Sequence, residues 1–173
     1  MKTPKPKVLE FMMRQLHKYR DFEAFNIEKW VFVKSGKYLG NGNYDYGEEI
    51  NEVVSLGDKW VASYDCSNIY RTRVEIPESY KDSRVYLEID FGGEALVKIN
   101  GEIAGSLSST MNRGWTSRDT IIVDRKFLDC GVLDIELELA IDSGGFCDFA
   151  MDGAKTLTYT FEKARLCRVD SEC

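Results

Sequence analysis

Leu133-Asp134-Ile135-Glu136-Leu137-Glu138-Leu139-Ala140-Ile141 is the stretch that decides the fold. Apolar residues hold positions 133, 135, 137, 139 and 141, and acidic residues stand at 134, 136 and 138. That period of two suits a half-buried strand and not a helix. One face is expected in a core and the other in solvent.

The same period recurs upstream. Tyr70, Thr72, Val74 and Ile76 alternate with Arg71, Arg73 and Glu75, and Pro77 ends the run. Val85, Leu87, Ile89 and Phe91 alternate with Tyr86, Glu88 and Asp90. Ala95, Val97 and Ile99 are followed by Asn100-Gly101 and then Ile103, and an Asn-Gly pair favours a two-residue hairpin turn whose central residues both need positive φ. Downstream, Leu157, Tyr159 and Phe161 are expected to pair with the strand Ala164 to Val169 across Glu162-Lys163. The glycine-rich stretch from Gly40 to Gly47 reads as a loop. Trp30 and Trp60, in strand-like surroundings, are expected in the core.

Short strands joined by turns, without helices long enough for parallel crossovers, predict an all-β antiparallel sandwich, with jelly roll as the preferred topology. Before it, Val8, Leu9, Met12, Met13, Leu16 and Tyr19 recur at helical spacing, which predicts one amphipathic helix from about Pro6 to Phe25. The chain therefore divides into an N-terminal helical segment, 1–27, and a β-sandwich, 28–173. The stripe Leu9, Met12, Met13 and Leu16 is expected to pack on the sandwich or on a neighbour.

Composition narrows the function classes. Lys and Arg number 23 against 29 Asp and Glu, giving a net charge of −6 spread along the chain, which disfavours nucleic acid and anionic membranes as partners. No apolar run reaches the ~18 residues of a membrane span. Glu10 and Arg14 interrupt the early apolar stretch, so no secretory signal is expected. The 5 cysteines show no C-x-x-C spacing and read as reduced thiols in a cytoplasmic protein.

The single histidine, His17, lies in the helical stretch and leaves no second imidazole for a relay or a zinc cluster. Asp142, Asp148 and Asp152 fall in a glycine-rich stretch that reads first as a solvated loop turning the chain between sheets, with its carboxylates as secondary candidates for calcium ligands. In Asn112-Arg113-Gly114-Trp115-Thr116-Ser117-Arg118, an aromatic ring stands between two guanidinium groups. Arg113, Trp115 and Arg118 are candidates for carbohydrate contact or a domain interface, and Trp115 also suits a cap on the sandwich.

Three stretches resemble the N-terminal, galactose-binding-like β-sandwich of glycoside hydrolase family 38 α-mannosidases. They are Trp60 to Pro77, Phe91 to Gly105 with its Glu94-Ala95 and Asn100-Gly101-Glu102, and Asp134 to Phe146. A similar strand and Asn-Gly hairpin occurs in accessory sandwiches of family 2 glycosidases. The resemblance implies a jelly roll that accompanies a catalytic domain hydrolysing α-mannosides through an aspartate nucleophile and a zinc-type divalent metal. That metal's ligands begin with a His-x-Asp motif, whereas His17 is followed by Lys18 and Tyr19, so no catalytic residue and no cofactor carries over to this chain. The resemblance thus implies a non-catalytic accessory domain that looks excised from a longer enzyme. Its expected partners are the catalytic domain of the same polypeptide or other copies of itself, with carbohydrate as a further candidate. A stand-alone lectin-like module, or the accessory sandwich of a family 2 glycosidase, is the alternative.

Overall fold

The computed structural model describes residues 23–63, 66–108, 119–140 and 156–169. The order is β1 (Glu23–Asn26), β2 (Lys29–Gly40), β3 (Asn43–Tyr46), β4 (Glu52–Ser55), β5 (Lys59–Ser63), β6 (Cys66–Glu75), a 3-10 turn (Glu78–Tyr80) and β7 (Arg84–Asp90). Then follow β8 (Glu94–Ile99), β9 (Glu102–Ser108), β10 (Thr120–Ile122), a one-turn helix α1 (Arg125–Leu128), β11 (Val132–Ala140), β12 (Thr156–Thr160) and β13 (Lys163–Val169). Among the described residues they form a four-stranded sheet, β1-β13-β7-β10, a seven-stranded sheet, β3-β2-β6-β11-β8-β9 with β4 on β2, and the pair β12-β5. The pairings are antiparallel. No helix among the described residues is long and apolar enough to cross a membrane.

This is an all-β, sandwich-like architecture, and the alternation read from the sequence explains it. Leu133, Ile135, Leu137 and Leu139 on β11 are buried in one core with Leu87 and Ile89 of β7 and Leu166 of β13. Burying each such side chain contributes roughly 1.5–3 kcal/mol relative to exposure. Trp30 and Trp60 are both in that core. Their indole N–H groups donate to the carbonyls of Ile27 and Phe91, at 3.3 and 2.8 Å, so neither large ring buries an unsatisfied donor.

Three sequence expectations need correction. The helix expected to run to Phe25 cannot do so, because Glu23–Asn26 is a strand paired with β13; residues 1–22, with Leu9, Met12, Met13, Leu16 and His17, lie outside the described residues. The expected hairpin between β12 and β13 does not form. β12 pairs with β5 instead, and β13 with β7 and β1. The cause is Phe161, which is fully buried with its ring 5.6 Å from Trp30, 5.6 Å from Phe91 and 5.8 Å from Tyr70. Seating that ring takes the chain into the core between the two strands and separates their partners. Finally, the Gly40 to Gly47 stretch is not all loop, since Asn43–Tyr46 is a strand on β2.

Asn100 and Gly101 form the two-residue turn between β8 and β9, with Ile99 opposite Glu102 and φ of 51° and 82°. Asn100 also anchors the turn to β11, its side-chain oxygen accepting the Asp134 backbone N–H at 2.8 Å. Nothing lies within 4 Å of a Cβ built on Gly101, so conformational strain is the only penalty there. Gly101→Val is expected to cost about 1–2 kcal/mol, because a β-branched residue resists the left-handed region. Urea denaturation checks this: the midpoint falls with an unchanged slope, and an unchanged midpoint contradicts the turn's geometry.

Candidate functional site

The candidate residues Arg113, Trp115 and Arg118, and the candidate calcium ligands Asp142, Asp148 and Asp152, lie outside the described residues. What the described residues bring together is the outer face of the seven-stranded sheet. Register sets its composition. Opposite the buried row of β11, Glu136 faces Arg71 of β6 and Lys98 of β8, and Asp134 faces Arg73.

Arg71 bonds Glu136 Oε2 through Nε at 2.8 Å and through Nη2 at 2.7 Å, while Lys98 Nζ reaches Oε1 at 2.9 Å. Burial pushes the Glu136 carboxyl up, but the Lys98 and Arg71 hydrogen bonds and charges outweigh it and hold the group below its ordinary value. The hydrogen bond to Glu136 correspondingly raises Lys98. The Arg73–Asp134 pair, at 3.0 Å, is 69% and 58% exposed and contributes little. Glu136, only 20% exposed and held by two cations, is the fixed point of this ladder. A recess of about 560 Å³ lies over it, walled by Arg71, Arg73, Lys98, Asp134 and Glu136, whose charges already close on one another.

One step along β11 the face changes character. Tyr46 of β3 sits opposite Gly36 of β2. A Cβ on Gly36 would meet the Tyr46 ring at 2.6 Å, so glycine is what lets that ring lie across β2. The Tyr46 hydroxyl then donates to Glu138 Oε1 at 3.2 Å, and Ser67 Oγ donates to the same oxygen at 3.4 Å. Lys34 Nζ stands 4.7 Å from the Tyr46 ring centre. Tyr44 follows, 6.0 Å from Tyr46 and 5.3 Å from Tyr38 between ring centres. Desolvation raises the Tyr44 and Tyr46 hydroxyls, and the Glu138 charge adds to the rise. A cavity of about 390 Å³ opens here, lined by Tyr44, Ser67, Glu94, Leu96, Ser106 and Ser108 together with Glu138 and Ala140.

Sequence reading missed this group. The usable signal was three tyrosines, Tyr38, Tyr44 and Tyr46, flanking Gly40-Asn41-Gly42, which is a hairpin pattern that the glycines disguised as a loop. Glu138 was legible only as part of a solvated face.

The four-stranded sheet holds a second ionic cluster on the side away from the common core. Glu88 of β7, 6% exposed, accepts hydrogen bonds from Arg165 Nε and, at 3.2 Å, from Lys163 Nζ. Cys167 Sγ lies 3.8 Å from Glu88 Oε2. Burial pushes Glu88 up, yet the Arg165 hydrogen bond and the Lys163 charge outweigh it and hold the carboxyl below its usual range.

A folded-state value below the unfolded one means that the stability from Glu88 and Glu136 is fully present above the unfolded carboxylate value of about 4.3. It is lost as pH falls through the lower folded values. Stability measured by urea is therefore expected to decline below about pH 4.3, and Glu88→Gln should flatten that decline by up to about 1.4 kcal/mol per pH unit, one proton's worth of linkage. An acid slope equal to that of the parent would contradict the assignment.

Comparison with known proteins adds no name to this geometry: no family model matches the chain, no curated protein matches it, and neither comparison identifies a glycoside hydrolase family 38 domain.

Proposed function

We propose that this chain is a non-catalytic accessory β-sandwich, of the galactose-binding-like jelly-roll type, belonging to an α-mannosidase whose catalytic domain is not in this sequence. The observation that carries the reading is the state of two cation-paired carboxylates among the described residues. Glycoside hydrolysis requires a general acid whose pKa is raised, beside a second carboxylate at a set distance. Glu136 and Glu88 are instead lowered and locked by cations, which suits structural work and opposes proton donation.

Zinc-type chemistry belongs, in this reading, to the missing domain. Among the described residues no three His, Cys, Asp or Glu are grouped to hold a metal ion. The partners are the catalytic domain or another copy of the chain, in the cytoplasm. Exposed Val53 and Ile103, both on strands of the seven-stranded sheet, offer apolar points for such packing. A second reading, a stand-alone carbohydrate-binding module, is favoured by the tyrosine-lined cavity beside Glu138.

The test is turnover. The purified chain is expected to leave an aryl α-mannoside unhydrolysed with added zinc or cobalt. Saturable hydrolysis that scales with the amount of protein would overturn the proposal.

A further inference from the structure

We infer that the cavity between Tyr44 and Glu138 is a binding site for a neutral oligosaccharide, with Tyr44 and Glu138 as its principal contacts. The inference rests on the carbohydrate-binding reading and is independent of the accessory-domain one.

The chemistry of the lining selects the ligand class. Among the described lining residues two carboxylates, Glu94 and Glu138, face the cavity, while Lys98 and Arg71 are committed to Glu136 in the neighbouring recess and Lys34 to the Tyr46 ring. An anionic ligand would meet Glu94 and Glu138, and hydroxyl groups can donate to both. A ligand rich in hydroxyls needs no net charge. It needs acceptors and donors together with a surface for its C–H groups, and the lining provides all three. Glu138 is the acceptor, Ser106 and Ser108 bring hydroxyls that both donate and accept, and Leu96 and Ala140 form an apolar floor.

The site is also pre-organised. Two hydroxyls, from Tyr46 and Ser67, converge on one oxygen of Glu138 and fix the carboxylate's orientation before any ligand arrives. Fixing it costs the ligand nothing at the moment of binding. Tyr46 is itself held over Gly36 and beside Lys34, so it acts as a positioning residue rather than a contact. Tyr44 is the ring that lines the cavity, and its half-buried face is where a sugar ring would stack. The volume, about 390 Å³, falls at the small end of ligand pockets.

Calorimetric titration of the full chain with methyl α-mannoside, α-mannobiose, cellotetraose and xylotetraose, repeated with polylysine, tests the inference. At least one sugar is expected to bind saturably below about 10 mM. Tyr44→Ala and, separately, Glu138→Gln should each weaken that binding about tenfold or more. Tyr46→Phe should weaken it while preserving the melting temperature, because it loosens the carboxylate without removing the ring. Arg73→Ala, on the ladder, should leave it unchanged. Sugar binding indifferent to both Tyr44→Ala and Glu138→Gln would overturn this site while leaving the carbohydrate-binding reading in place. No sugar binding at all would overturn both, and polylysine binding lost in Glu138→Gln without any sugar binding would make the cavity a cation site instead.

Discussion

β11 has β6 on one side and β8 on the other, and its side chains must satisfy two opposite environments at once. Leu133, Ile135, Leu137 and Leu139 enter the core, while Asp134, Glu136 and Glu138 face away from it. Because the side-chain period of a strand is two, a one-residue slip against either neighbour would carry three carboxylates into the core. Unpaired there, each would cost several kcal/mol. The register of the seven-stranded sheet is fixed by that penalty more than by any single attraction. The Arg71–Glu136–Lys98 ladder then adds a matching preference on the outer face.

The same register produces the candidate site. Rows of facing residues run across the strands, and each row inherits its chemistry from the alternation. The Glu136 row is ionic and closed on itself. The neighbouring positions carry Glu138 and Ala140 on β11, with Gly36 on β2 and Ser67 on β6, and the small Gly36 and Ser67 leave room for the Tyr46 ring of β3 to cross β2 and reach a carboxylate three strands away. A face that is otherwise a lattice of ion pairs thereby gains one open, aromatic and hydroxyl-lined position. The ladder's contribution is rigidity, and the gap between small residues contributes shape.

Legibility in the sequence followed the range of the interaction involved. β6, β7, β8 and β11 were readable because alternation is local, and the Asn100-Gly101 turn because positive φ is a property of two adjacent residues. Partner choice was not. The separation of β12 from β13 is decided by Phe161 meeting Trp30, a contact between residues far apart in sequence. The Tyr46–Glu138 hydrogen bond likewise spans 92 residues, so neither residue announces the other. Short edge elements such as β1 and β10 carry too few residues for a period to show, and at β1 the preceding helical stripe masked the change to a strand. The resemblance to α-mannosidase sandwiches suggested a type of module and gave no hint of this face.

The central claim is that two-faced β11, pinned between β6 and β8, organises the larger sheet. Native-state amide hydrogen exchange measures it most directly, since the slowest amides report the most stable cooperative unit. The β11 amides from Leu133 to Leu139 are expected to exchange slowest in the protein, with those of the edge strands β3 and β9 orders of magnitude faster. Exchange of β11 at the rate of those edge strands would contradict the account.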